Sequence, residues 1–272
     1  MNINMQTLWS DIQKIRQTVP LIHNITNYVV MNNTANALLA LGASPIMAHA
    51  IEEVEDLVKI SGALVINIGT LSEKWIEAMQ HAMLKAQELN KPIVFDPVGT
   101  GATPYRTATT RKFLEAVSPT VIRGNATEIC AILAGDVKTK GVDSTQNSES
   151  VVGVAKEIAQ MYKCTVVISG VKDFIVKADQ VIKIENGHPL MALVTGMGCT
   201  STALTGAFLA VNSESLMAAA HAMAVMGITG EIAGERAAGP GGLQLHFLDV
   251  LYNLQKADIE TRLKLSNCEH QF

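Results

Sequence analysis

Five consecutive residues, Thr195-Gly196-Met197-Gly198-Cys199, have the types and spacing to do chemistry. Glycines two apart permit a turn with positive φ and let a ligand come close to the backbone. A helix starting near Thr200, after a strand region, would point its free N–H groups and partial positive charge at the same spot. Such a corner holds anions, a transferring phosphoryl group among them. Spacing alone leaves a second reading equally open, a plain strand-to-helix turn with a buried cysteine. The run is not a Walker A motif, since no Gly-Lys-Ser/Thr accompanies it, and Ser201 rules out Gly-x-Gly-x-x-Gly.

Other polar residues fall just beyond short apolar runs. Asp96 stands between Pro92-Ile-Val-Phe and Pro97, and Glu128 lies three residues past Asn125. Together they could hold a magnesium ion and its waters, which needs few protein carboxylates. Turn chemistry for Asp96 and a first-turn helix carboxylate for Glu128 are the structural alternatives. Arg123, at the end of Thr120-Val-Ile-Arg123, suits phosphate oxygens or a structural ion pair. Asn67, Gly69, Ser169 and Gly170 complete the set. Met47 belongs to an apolar wall, of a core or of a pocket. His23 reads as a hydrogen-bonded structural histidine, and no histidine pair has metal-ligand spacing.

Positioning these residues requires strands that alternate with helices. Runs at 63–68, 92–96, 120–123 and 165–168 read as strands, and 174–176 with 181–184 as a pair around Asp179-Gln180. Helical periodicity covers 71–90 (N-cap Ser72), 104–117, 126–134 (N-cap Asn125, Gly135 beyond) and 151–162, and the chain reads as helical from Cys199 onward. Residues 141–150 read as a long polar loop. The pattern predicts an α/β fold with a mainly parallel central sheet covered by helices on both faces. In such sheets ligands sit beyond the carboxyl ends of the strands, where the polar residues above fall. No linker or repeat divides residues 1–272, so a single domain is expected.

Composition narrows the function. With 48% apolar and 17% charged residues the chain can bury a core. A net charge of −4 and 4% aromatic content argue against a nucleic-acid partner. Four scattered cysteines point to a reducing, cytoplasmic setting, and no signal-peptide-type apolar run is seen. Residues 190–213 carry no charge and are long enough to cross a membrane, but their glycines and hydroxyls suit a site better than lipid.

Further motifs run nearly the length of the chain: His23-Asn-Ile-Thr-Asn27, Asn33-Thr-Ala-Asn36, Leu41-Gly-Ala-Ser-Pro45 with Met47, Asn67-Ile-Gly-Thr70, Asp96-Pro-Val98, Gly101-Ala-Thr103, Arg123-Gly-Asn125 with Glu128, Lys140-Gly-Val-Asp143, Val194-Thr-Gly-Met-Gly-Cys199 and Gly239-Pro-Gly241. With these the chain resembles the hydroxyethylthiazole kinases, thiamine-pathway members of the ribokinase-like fold. The resemblance implies that ATP phosphorylates the primary alcohol of 4-methyl-5-(2-hydroxyethyl)thiazole. It implies a homotrimer with the thiazole site at subunit boundaries. By motif match, Met47 and Asn27 line the thiazole pocket, Gly196 lies beside substrate, and Gly196, Met197, Gly198 and Cys199 form the anion hole. Arg123 and Ser169 contact ATP, and Asp96 and Glu128 handle Mg2+. Cys199 stands where ribokinase-like enzymes generally place an Asp as base. Ser169 replaces a usual Thr and keeps its hydroxyl; Met197 replaces a usual Ala at the most crowded point.

The expected mechanism is in-line transfer of the γ-phosphoryl group, with Cys199 favoured as thiolate at a helix N-terminus and accepting the alcohol proton late. A kinase for another alcohol, such as a hydroxymethylpyrimidine or a vitamin B6 compound, is the competing enzyme reading. A nucleotide-binding regulator without catalysis is the competing non-enzyme reading.

Overall fold

A computed structural model describes residues 4–134 and 148–268. Gly135, the Lys140–Asp143 motif and positions 141–147 of the expected polar loop lie outside the described residues. Among the described residues nine strands form one sheet: β1 (Leu21–Ile25), β2 (Ser44–Ile46), β3 (Ala63–Asn67), β4 (Ile93–Asp96), β5 (Val121–Asn125), β6 (Thr165–Ser169), β7 (Asp173–Lys177), β8 (Gln180–Ile184) and β9 (Leu265–Asn267). Their order across the sheet is β2-β1-β3-β4-β5-β6-β7-β8-β9. Strands β2 to β6 along that order pair in parallel, and β7 to β9 add antiparallel.

Two apolar layers follow from strand alternation. In β3, Ala63 and Val65 face one layer while Leu64 and Ile66 face the other; in β6, Val167 opposes Val166 and Ile168. Buried residues of α1 (Met5–Thr18), α2 (Met31–Leu41), α8 (Met197–Leu209), α9 (Ser215–Arg236), α10 (Pro240–Asn253) and α11 (Lys256–Arg262) fill the first layer. The second is filled from α3 (Val54–Ile60), α4 (Glu73–Glu88), α5 (Pro104–Ala116), α6 (Ala126–Leu133) and α7 (Val152–Tyr162). Burial on both faces removes the polar-out alternation, which is why the inner strands read as continuous apolar runs.

The expected caps are present: Ser72 Oγ accepts the Trp75 N–H at 3.4 Å, and Asn125 Oδ1 accepts that of Glu128 at 2.9 Å. Several expectations need correction. Strands β1 and β2 have no clear apolar signature, because β1 buries His23 and Asn24 completely and β2 contains Pro45, tolerated on a sheet edge. The chain after Cys199 is not helical to its end, since β9 pairs with β8. The segment before Gly196 is a 3-10 helix (Pro189–Leu193) rather than a strand, and α8 begins at Met197, not Thr200. Residues 190–213 therefore divide between a short 3-10 turn and a 13-residue buried helix, too short to span. Helix α9 is long and apolar enough to cross a membrane, but 94% of its most apolar window is buried inside the protein. Its apolarity is accounted for by packing.

Candidate active site

The site lies at the carboxyl edge of the parallel strands, where β3 ends on Asn67, β4 on Asp96 and β6 on Ser169. A chain of side-chain hydrogen bonds crosses this edge. Asn27, just past β1, donates from Nδ2 to Asn67 Oδ1 at 2.8 Å, and Asn67 Nδ2 donates to Asp96 Oδ2 at 2.7 Å. Thr202 Oγ1, from the first turns of α8, donates to the same Asp96 oxygen at 2.7 Å. Asn27 Nδ2 also reaches Cys199 Sγ at 3.5 Å. Three strands and the start of α8 are thereby joined through amide and hydroxyl groups that sequence spacing could not connect.

Asp96 is fully buried, and its Oδ1 has no hydrogen-bond partner among the described residues. Burial pushes its carboxyl up to about 6; Arg123 opposes that shift, Glu128 adds to it, and the Thr202 and Asn67 bonds oppose it. Arg123 Nη1 stands 4.0 Å from Asp96 Oδ2, while Nη2 donates to Ser169 Oγ at 2.7 Å. The arginine's Nε is buried and has no hydrogen-bond partner among the described residues. Arg123 and Ser169, expected together at a nucleotide, are thus in direct contact. The structure also realises part of the ion-pair alternative for Arg123.

Gly196 is the N-cap of α8 at φ +85°, the left-handed region that favours glycine, and a Cβ there would meet Val30 Cγ1 at 2.7 Å. At Gly198 a Cβ would approach Arg123 Nη1 to 2.6 Å. The absence of a side chain at 198 lets the guanidinium lie against the first turn of α8. The expected anion corner therefore has a cation at its wall and open helix N–H groups at its floor.

Cys199 differs from expectation. Burial, and after it the charge of Asp96, pushes its thiol up, outweighing the Asn67, Arg123 and Asn27 contributions in the opposite direction. The shift runs opposite to the one expected at a helix N-terminus. Glu128 takes the structural role first: Oε2 accepts the Asn125 N–H and Oε1 the Gly99 N–H, each at 2.9 Å. Met47 is half-buried and follows directly on β2, the strand that pairs with β1. His23 is structural as read, its Nε2 paired with the Ala48 carbonyl at 2.8 Å.

Spacing did not single out Thr202, although it stands three residues after Cys199 and so shares its helix face. Nor did it single out Asp173. This carboxylate accepts the Gly170 N–H at 2.9 Å, and burial pushes it up to about 7, against the opposing effects of that bond and of Arg123. Among the described residues no cluster of three or more His, Cys, Asp or Glu side chains could hold a metal.

The profile of the Hydroxyethylthiazole kinase family matches residues 12–257. The chain belongs to the hydroxyethylthiazole kinase family. A hydroxyethylthiazole kinase from Syntrophus aciditrophicus is 58% identical over 266 residues, covering 97% of this chain and 98% of that protein. The solved structure of a hydroxyethylthiazole kinase from Pyrococcus horikoshii superposes with a TM-score of 0.89 at 41% identity, covering 97% of this chain and 99% of that one. A ribokinase-like superfamily protein from Enterococcus faecalis, 13% identical over 88% of this chain and 87% of that one, has a TM-score of 0.63 and shares the fold alone. The ribokinase-like fold expected from the sequence is thus the fold found. As a member of the hydroxyethylthiazole kinase family the protein is an enzyme, a phosphotransferase with an alcohol group as acceptor.

Proposed function

We propose that this site transfers the γ-phosphoryl group of ATP to the primary hydroxyl of 4-methyl-5-(2-hydroxyethyl)thiazole, giving the monophosphate for thiamine biosynthesis or salvage. The observation that carries the reading is the meeting of Arg123, Asp96 and the start of α8 at one point of the sheet edge. Phosphoryl transition states are loose, so positioning and charge neutralisation supply most of the rate. Arg123 offsets triphosphate charge, Ser169 orients the nucleotide through its contact with Arg123, and N–H groups of Gly196, Met197, Gly198 and Cys199 hold the moving group. Asn27 and Met47 face the thiazole.

Asp96 Oδ1, buried and without a hydrogen-bond partner among the described residues, fits one side of a hydrated Mg2+, and Glu128, whose charge is felt at Asp96, supports it from beyond the Gly99 turn. When bound, that ion neutralises triphosphate charge. Cys199 is placed to accept the alcohol proton late in the transfer, through the thiolate fraction of a thiol that burial keeps mostly protonated. A cytoplasmic homotrimer with the thiazole site at subunit boundaries completes the reading. The family relationship supports that assembly by resemblance.

The test is ADP release from ATP and Mg2+ on addition of the thiazole alcohol, beside light scattering for the assembly. Turnover with a hydroxymethylpyrimidine or pyridoxal, and none with the thiazole, overturns the substrate. Nucleotide binding without turnover of any alcohol overturns the kinase reading in favour of a regulator.

A further inference from the structure

Arg106 sits in the first turn of α5, where its backbone N–H donates to Oγ1 of the N-cap residue Thr103 at 3.3 Å. Its guanidinium turns back from the helix to three main-chain oxygens. Nη1 donates to Ile68 O at 2.6 Å and to Val98 O at 2.8 Å, and Nη2 donates to Gly69 O at 2.8 Å. Ile68 and Gly69 form the turn after β3, and Val98 lies in the turn after β4. A planar fork serves neighbouring acceptors in this way, whereas a lysine brings a single nitrogen.

The two turns carry the site's internal order. The Gly69 N–H donates to Asn67 Oδ1 at 2.9 Å, and the Gly99 N–H donates to Glu128 Oε1 at 2.9 Å. The Ile68 N–H donates to the Asp96 carbonyl at 3.2 Å. Between the turns lies the Asn67–Asp96 bond at 2.7 Å. Gly99 has φ +73°, and a Cβ there would come within 3.0 Å of Arg106 Cδ, so the β4 turn packs directly on the arginine stem.

We propose that Arg106 is a positioning residue for phosphoryl transfer, bracing the turns after β3 and β4 so that Asn67 and Asp96 keep their mutual orientation. The proposal rests on the reaction given above. It assigns a role to a residue whose charge meets only neutral carbonyls in these contacts, and which acts through Asn67 and Asp96 rather than on substrate. Displacements of about 1 Å in such sites can cost on the order of 10²-fold in rate.

The test uses the full-length assembled enzyme with Arg106→Ala and Arg106→Lys. Expected is a fall in kcat of about tenfold or more for the alanine variant, with KM for ATP and alcohol within about threefold of wild type. Arg106→Lys falls less, and millimolar guanidinium ion restores part of the alanine variant's kcat. Hydrogen–deuterium exchange rises in the turns after β3 and β4 and not elsewhere. An alanine variant with kcat within twofold of wild type and unchanged exchange overturns the proposal. So does a loss of rate that follows a global loss of folded protein and ignores guanidinium. If Arg106→Ala does not fold, the same measurements on Arg106→Lys decide. Wild-type protein that fails to turn over the thiazole alcohol would refute the function reading, while exchange in the variants would still decide the brace.

Discussion

Arg123 Nη1 faces Asp96 Oδ2 at 4.0 Å, at the outer limit of an ion pair. Each group is held by something else: Asp96 by Asn67 and Thr202, Arg123 by Ser169. Opposite charges are thus kept apart in a buried place, where their interaction is strong and a polyanion and a cation could compete for them. Replacing Arg123 by Gln should lower kcat/KM for ATP by roughly 10²–10³-fold, the range for losing one preorganised charge-stabilising donor. Steady-state kinetics checks this, and a loss below about fivefold would leave Arg123 a structural residue.

Gly198→Ala separates activity from stability. Alanine is favoured over glycine inside a helix by about 1 kcal/mol, so the melting temperature should hold or rise. The new Cβ would stand 2.6 Å from Arg123 Nη1 and displace the guanidinium, so kcat/KM for ATP should drop. Calorimetry and kinetics on one preparation check both signs. An unchanged kcat/KM would show that Arg123 can move without consequence.

Cys199 yields a pH prediction. Its thiol is pushed above the ordinary value, so the thiolate fraction climbs with pH through neutrality and into the alkaline range. If Cys199 accepts the proton, wild-type kcat should rise with pH over about pH 7–9, and Cys199→Ala should lose that rise together with about 10²–10³-fold in rate. A loss of only a few-fold, with the pH slope intact, would reduce Cys199 to packing.

Asp173 ties stability to pH. Its folded pKa of about 7 lies above the ordinary 3.8, so the native state holds the proton that the unfolded chain releases. Its contribution is fully present below about pH 4 and is lost as pH rises through about 7, with a slope of roughly 1.4 kcal/mol per pH unit between those limits. Asp173→Asn keeps an oxygen for the Gly170 N–H and removes the titration. The melting temperature of wild type minus that of the variant should therefore fall from about pH 4 to about pH 7.5 and then level off. Scanning calorimetry at several pH values checks it, and a difference that rises with pH would contradict the burial argument.

How much was legible in the sequence follows from which signals are local. Inner strands such as β3 and β6 announced themselves because burial on both faces demands unbroken apolar runs. Ser72, Asn125 and Glu128 did so because capping is settled within four residues. Strands β1 and β2 stayed hidden: His23 and Asn24 are buried in an interior where their neighbours, not their own polarity, decide their place, and β2 has only three residues.

The sequence by itself determined the α/β alternation, the family and the strand-end residues on which the site is built, since motifs and periodicity are properties of short stretches. Tertiary structure alone decided how those residues meet. Asn27 joins Asn67, Asn67 joins Asp96, and Thr202 joins the same carboxylate across 106 positions. It decided also that the Cys199 thiol is pushed up rather than down, because desolvation and the charge of Asp96 depend on what folds around a side chain and not on its neighbours in sequence.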